Sequence, residues 1–220
     1  WVRGEGEFDG WIWRADTSRD QMAGAILGVA AAYALVDDEH VKAEAREFLV
    51  PVADHIWAND LMIIDYNGEP TTYGDVSGER LEHWPLPNGQ AATCSLAWLL
   101  IAHHVSGEQR FKDAFDELMY ERDYLSIMRD FQWVYAGYNT RWFNTYISWE
   151  NFYHMMRLVE DPTLFADLAE VFRDTLWLNT ADDTPNRRGI LEHNPVKTPW
   201  YLFTTGEHDP IALRQALAQI

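Results

Sequence analysis

The chain has 220 residues, of which 47% are hydrophobic, so it can bury a sizeable core in one domain and does not have the composition of a disordered protein. Lys and Arg number 17 against 35 Asp and Glu, which gives a formal net charge of −18. A field of this sign repels phosphate backbones and anionic membranes, so no nucleic acid partner is expected. No apolar run is long enough to span a bilayer, and the single cysteine excludes an internal disulfide.

The first half of the chain predicts two helices and a hairpin. Residues 18–36 and 39–57 carry apolar side chains at steps of three and four, which is the spacing of a helix with one buried face. Pro51 lies inside the second helix, where we expect a kink. The period then changes in "LMIIDYNGEPTTYG", whose β-branched residues and Asn-Gly turn predict a short β-hairpin near residues 61–74.

The second half predicts further helices, at residues 88–105, 108–122, 140–159 and 163–178. The connections within successive helix pairs are short and those between pairs are long, as in stacked antiparallel helical hairpins. Cys94 lies in an apolar stretch with no nearby base, so we interpret it as a small core residue rather than a nucleophile.

The turns of the three helix pairs repeat in sequence. The segments "ALVDDEHVKAEA", "HHVSGEQRFKDA" and "RLVEDPTLFADL" align without a gap at Val36, Val105 and Val159. In each, an apolar residue ends one helix, a short polar turn follows, and an acidic residue or proline opens the return helix, which suits a helix N-terminus. Three matches in register indicate a repeated helical hairpin.

These hairpins resemble the six-hairpin glycosidase-like superfamily, the (α/α)6 toroids. The segments "IIDYNGEPTTYGD" and "NGQAATCSLAWLLIAHHVSGEQRF" resemble, respectively, a hairpin between helices and an inner toroid helix of that superfamily. The resemblance covers residues 18–178 and implies a saccharide-related activity: hydrolysis, lysis or epimerisation. It also implies that inner-helix N-termini and their preceding loops line a central cavity.

The expected fold is therefore all-α, an incomplete or truncated (α/α)6-type toroid with one short β-hairpin. A full toroid needs twelve helices, and this chain offers about half of them, so either further helices are missing or the ring is open. The chain begins with Trp1 rather than Met, which favours a processed or fragmentary chain and a secreted or periplasmic location, with a cytoplasmic one as the alternative.

The segment "WIWRADTSRDQ" opens the first predicted helix and has two interpretations. Ser18 and Gln21 fit a capping box. Alternatively, Asp16 and Asp20 lie one turn apart and would share a face if the helix already included Asp16. Glycoside hydrolysis requires one protonated and one ionised carboxyl.

Nearby side chains would complete such a pocket. Arg19 would interact with one of the carboxyls, and Trp13 offers a flat apolar surface of the kind that stacks on sugar rings. We therefore predict Asp16 and Asp20 as catalytic residues, with Arg19 and Trp13 binding substrate.

Two further segments carry candidate residues. In "LEHWPLPNGQ", His83 and Trp84 precede the third helix, either as substrate-binding residues or as part of a surface loop fixed by its prolines. The segment "GYNTRWFNTYISWENFYH" places polar side chains on the fifth helix and its approach, where they face either a polar cavity, which we favour, or solvent. From it we predict Glu150 as catalytic, and as substrate-binding Tyr138, Arg141 and Asn144.

The sequence thus favours a carbohydrate-active enzyme, a glycoside hydrolase with a saccharide substrate. The alternative is a non-catalytic helical scaffold that binds glycan or protein through its concave face. No cofactor is expected, because the sequence has neither a phosphate-binding glycine loop nor a metal-ligand motif.

Overall fold

The structure, a computed structural model, describes residues 1–79, 88–129 and 142–177, with side chains of the last segment described over 147–174. These residues form a predominantly helical protein with two small antiparallel sheets. The helices are α1 (Arg19–Leu35), α2 (Glu39–Ala58), α3 (Gly89–Ser106), α4 (Gln109–Asp116), α5 (Tyr124–Arg129), α6 (Trp142–Leu158) and α7 (Pro162–Val171). The strands are β1 (Val2–Arg3), β2 (Ile12–Trp13), β3 (Met62–Ile64) and β4 (Pro70–Asp75).

The predicted helical hairpins are confirmed at α1–α2, α3–α4 and α6–α7. Each short turn is closed by local chemistry. The Asp38 carboxylate accepts hydrogen bonds from two amides in the first turn of α2, and that of Asp161 accepts one from the Thr163 amide of α7, which has Pro162 in its first turn. Gly107 ends α3 in the left-handed region at φ +72°, a conformation that glycine adopts without strain.

The β-hairpin expected at residues 61–74 is also confirmed, as β3 paired with β4. Its tip closes through a hydrogen bond from the Asp65 amide to the Glu69 carbonyl, and Gly68 has a φ of +82°. A second ribbon, β1 with β2, pairs Val2 with Trp13 and was not predicted, because strands of two residues are too short to show periodicity.

Two predicted helices differ from the structure at their ends. The helices predicted to reach residues 122 and 178 change to π-helical turns at Glu117–Glu121 and Phe172–Trp177, and the unpredicted helix α5 follows the first of these turns. Helix α2 continues through Pro51 as a single helix.

The first helices of the three hairpins run in the same direction. Near the starts of α1 and α3, Gln90 of α3 contacts Asp20 of α1, and Asn151, in the middle of α6, bonds to Thr93 of α3. At the other end, a small notch is lined together by the last turns of α1, α3 and α6. Helix α1 contacts α6 as well as α3, so the three helices pack against one another.

Helix α3 lies at the centre of the core. Its residues from Gly89 to Ala102 are all buried, and α1, α2, α4, α5 and α6 pack around it. A helix that is apolar or small on every side is stable only in such a position. Its side chains pack with large buried aromatics of the neighbouring helices, among them Phe111, Phe115, Tyr124 and Phe152.

The segment after β4 crosses the N-terminus of α3 at close range. The Asn88 amide donates to the Gly78 carbonyl over 2.8 Å. Gly78 has a φ of +70°, and a β-carbon there would lie 2.5 Å from that of Ala92. Only glycine fits this crossing without displacement of α3.

No helix within the described ranges is long and apolar enough to cross a membrane.

We expect Gly78→Ala to lower the free energy of unfolding by about 3 kcal/mol, because it combines an overpacked contact with a strained backbone. Gly24→Ala in α1 is the matched control, since no described atom lies within 4 Å of the added carbon. That change should raise the free energy of unfolding by about 0.5–1 kcal/mol. Urea unfolding measures both, and equal effects of the two substitutions would contradict the close crossing at Gly78.

Candidate functional site

Asp16, in the segment before α1, forms hydrogen bonds to the β3–β4 hairpin. The Asp16 amide donates to the Asp65 carboxylate over 2.8 Å, and the Asp16 carboxylate accepts from the Thr72 amide at 2.6 Å and the Thr72 hydroxyl at 3.0 Å. These bonds from Thr72 lower the pKa of Asp16. Asp16 has a φ of +64° and lies before the helix, so the expected shared helical face with Asp20 does not form.

The predicted capping box is confirmed at the start of α1. The Gln21 amide donates to the Ser18 hydroxyl at 3.3 Å, and the Ser18 amide donates back to the Gln21 side chain at 3.0 Å. These two residues cap the helix by themselves. The Asp20 carboxylate is therefore available for contacts outside its own helix.

Asp20 contacts α3 directly, and its neighbour Arg19 bonds to β4. The Gln90 amide lies 3.5 Å from one Asp20 carboxylate oxygen, and the Arg19 Nε lies 3.8 Å from the same atom. The Arg19 Nη1 also donates to the Asp75 carbonyl at 3.0 Å. The Asp20 side chain stays 38% exposed, so this carboxylate is held by a cation and an amide while it remains open to solvent.

Helix α6 brings a second carboxyl to the same region. Glu150 and Asn151 are 4% and 3% exposed, and every residue from 147 to 156 is buried, so the alternative of a solvent-facing helix is wrong here. Asn151 donates to the Thr93 hydroxyl at 3.3 Å and to the Cys94 sulfur at 3.2 Å. Asn151, the residue next to Glu150, therefore lies against α3.

The Cys94 thiol, which accepts from Asn151, is buried in α3. Burial raises the pKa of this thiol to about 12, and the charges of Asp20 and Glu150 both contribute to the rise. Arg19 acts in the opposite direction on the same pKa. Cys94 is fully buried, which confirms the interpretation as a core residue.

The sequence reasoning missed two buried polar residues beside this cluster. One carboxylate oxygen of Asp75 accepts from the Ser77 amide and hydroxyl, at 2.9 and 2.7 Å, and the other is buried without a partner among the described residues. The Tyr124 hydroxyl is likewise buried without a partner among the described residues, and burial raises the pKa of Tyr124. The sequence does hold a signal for Asp75 as a functional residue, because it is a carboxyl at the end of a predicted strand and the hairpin does not need it.

Trp13 lies on the N-terminal ribbon, 38% exposed. Other aromatic side chains of this ribbon are more exposed: Trp1, Phe8 and Trp11. The predicted role of Trp13 in binding substrate beside Asp20 stays a prediction.

The structure does not describe the side chains of the remaining predicted site residues. His83, Trp84, Tyr138 and Arg141 lie outside the described residues, and so does the side chain of Asn144, whose backbone belongs to α6. Where the chain is described, no three His, Cys, Asp or Glu side chains are grouped so that they could hold a metal ion.

Comparison with known proteins adds no relative. No family model matches the chain, and neither a curated protein nor a solved structure matches it. The function is therefore argued from the geometry of Arg19, Asp20, Gln90 and Glu150.

We expect Asp16→Asn to destabilise the protein at about pH 7 and to have little effect at about pH 2. The native pKa of Asp16 is below its ordinary value of 3.8, so the charge stabilises the folded chain above that value. This contribution is lost as the pH falls through the lowered native pKa. Asn accepts the same left-handed backbone, so the substitution changes the carboxylate and leaves the backbone conformation as it is.

Urea unfolding of the wild type and Asp16→Asn across this pH range measures the effect. Asp37→Asn, on the exposed turn between α1 and α2, controls for the loss of one surface carboxylate. A difference between wild type and Asp16→Asn that does not change with pH would contradict the role of the carboxylate.

Proposed function

We propose that the chain is a carbohydrate-active enzyme, a glycoside hydrolase whose acid–base pair is Asp20 and Glu150. The observation that supports it is a shared stretch of α3: Gln90 lies against Asp20, and Thr93 and Cys94, about one turn further along, accept from Asn151, the residue next to Glu150. Asp20 is open to solvent and Glu150 is buried, and glycoside hydrolysis uses two carboxyls in different protonation states.

The environment of Asp20 suggests how the roles divide. Arg19 and Gln90 lie against its carboxylate, which is open to solvent, whereas Glu150 is buried. We therefore assign Asp20 the ionised role, as base or nucleophile, and Glu150 the role of proton donor to the departing sugar oxygen. The bonds to Thr72 account for both carboxylate oxygens of Asp16, so we assign Asp16 a structural role instead.

Charge and orientation support a saccharide as the substrate. A chain with a net charge of −18 disfavours anionic ligands at an acidic site, and neutral hydroxyl-rich molecules do not meet this repulsion. The parallel first helices bring the starts of α1 and α3 to one end, which is the end that the toroid resemblance implies for a cavity. The (α/α)6 toroid itself stays a prediction.

A non-catalytic glycan- or protein-binding scaffold is the second candidate. It is favoured by the exposed aromatic side chains of the N-terminal ribbon, since Trp1 is 88% and Trp11 68% exposed. Large exposed aromatic surfaces occur at sites that bind partners or sugars. Saccharide binding without turnover would distinguish this function from hydrolysis.

We expect Asp20→Asn to lower kcat/KM for the best substrate of a panel of neutral and uronic-acid oligosaccharides by about 10²–10⁴-fold. Asp37→Asn provides the same chemical change at the far end of α1 and should leave turnover unchanged. Urea unfolding of both variants separates lost catalysis from lost fold. Full activity of a folded Asp20→Asn would contradict the assignment.

We expect Glu150→Gln to slow the hydrolysis of alkyl glycosides by about 10²–10⁴-fold, because their leaving oxygen needs a proton. Dinitrophenyl glycosides leave without protonation, so the same variant should hydrolyse them at nearly the wild-type rate. Steady-state rates on the two substrates make the comparison. An equal loss on both substrates would exclude Glu150 as the proton donor and would leave the Asp20 test unaffected.

A further inference from the structure

The notch at the ends of α1, α3 and α6 encloses a histidine. Its volume is about 20 Å³, which is room for about one water molecule. His154 and Arg157 of α6 line it together with His104 of α3. His154 is 5% exposed, and its Nε2 is buried without a hydrogen-bond partner among the described residues. A proton on this nitrogen would meet neither solvent nor an acceptor.

The side chains that line the notch carry no negative charge, because none of the described residues in its lining is Asp or Glu. The titratable groups that the packed helices bring to this end are cations, histidines and tyrosines: Tyr33 of α1, Arg46 of α2, His103 and His104 of α3, and Tyr153 and Arg157 of α6. On the α6–α7 hairpin, the nearest carboxylates along the chain are Glu150, one turn before His154, and Glu160 and Asp161, beyond the end of α6. Arg157 and His104 act electrostatically on His154, and both disfavour its charge.

The closed packing therefore opposes protonation of His154. Burial, with contributions from Arg157 and His104, lowers the pKa of His154 from its ordinary value of 6.5 to about 4. If α6 leaves the notch, the ring regains solvent and its pKa returns toward the ordinary value. The closed packing is fully stable above about pH 6.5 and is weakened as the pH falls from there to about 4.

We propose that His154 is an acid-sensitive contact that releases the α6–α7 hairpin from α1 and α3. A proton on the ring puts a positive charge beside Arg157 and His104, in a notch too small for a counter-ion and its water. Separation of α6 from the other two helices exposes the ring to solvent. Glu150 would move with α6, so release would also stop the reaction; that consequence alone rests on the proposed function.

Hydrogen exchange of the full chain, followed by mass spectrometry at pH 7 and pH 5 and corrected for the intrinsic exchange rate, measures the release. At pH 5 most carboxylates keep their charge, so the histidines are the groups that change. We expect the protection of the α6 amides to fall about 10–50-fold from pH 7 to pH 5, and that of the α2 amides to change less than about threefold.

His154→Phe keeps a ring of similar size that cannot gain a proton, so the fall in α6 protection should disappear. His40→Phe is the matched control, because the His40 side chain is 81% exposed, and it should leave the fall unchanged.

Arg157→Gln keeps the test decisive if His154→Phe does not fold, because Arg157 is an exposed residue of α6. Without this charge the closed notch holds a protonated ring more readily, so the fall in α6 protection should become at least about threefold smaller. Equal falls in α2 and α6 would show global acid unfolding and overturn the proposal. An unchanged fall in His154→Phe or in Arg157→Gln would overturn it as well. None of these outcomes depends on turnover of a saccharide.

Discussion

The burial of α3 on all sides is the interaction on which the rest of the structure depends. A helix with no polar face must be enclosed, and the surrounding helices take their places around it. Its few hydroxyls are satisfied locally: Thr93 donates to the Gln90 carbonyl at 2.7 Å, and Ser95 to the Ala92 carbonyl at 3.1 Å. The enclosure thus requires no solvent at the middle of the helix and places the polar contacts of the core at its start.

The carboxyl site follows from this arrangement. Because the first helices of the hairpins are parallel, the starts of α1 and α3 lie at one end of the core. Partial positive charge accumulates there, and carboxylates such as Asp20 are stabilised by it. Arg19 adds a full positive charge beside the same carboxylate. At this end of its core the strongly acidic chain therefore has positive groups that stabilise a negative side chain.

Features that depend on neighbouring residues could be predicted from the sequence, and features that depend on distant ones could not. The capping box of Ser18 and Gln21 spans three residues and is confirmed, as are the short hairpin turns. Asp16 is bonded to Thr72, which is 56 residues away, and no local pattern announces that pairing. For the same reason the sequence placed Glu150 on a helix and suggested a polar cavity, but it did not show that α6 packs against Cys94.

The start of α1 and strand β4 share a spacing. Asp16 bonds to Thr72, and Arg19 bonds to the carbonyl of Asp75, so both pairs of partners are separated by three residues in their own segment. Inserting or deleting one residue in either segment would break one of these bonds, and in the strand it would also exchange its two faces. The turn between Asp65, whose carboxylate accepts from the Asp16 amide, and Glu69 lies outside these attachments. Insertions and deletions should therefore be tolerated better in this turn than in the two attached segments, which position the catalytic candidate Asp20.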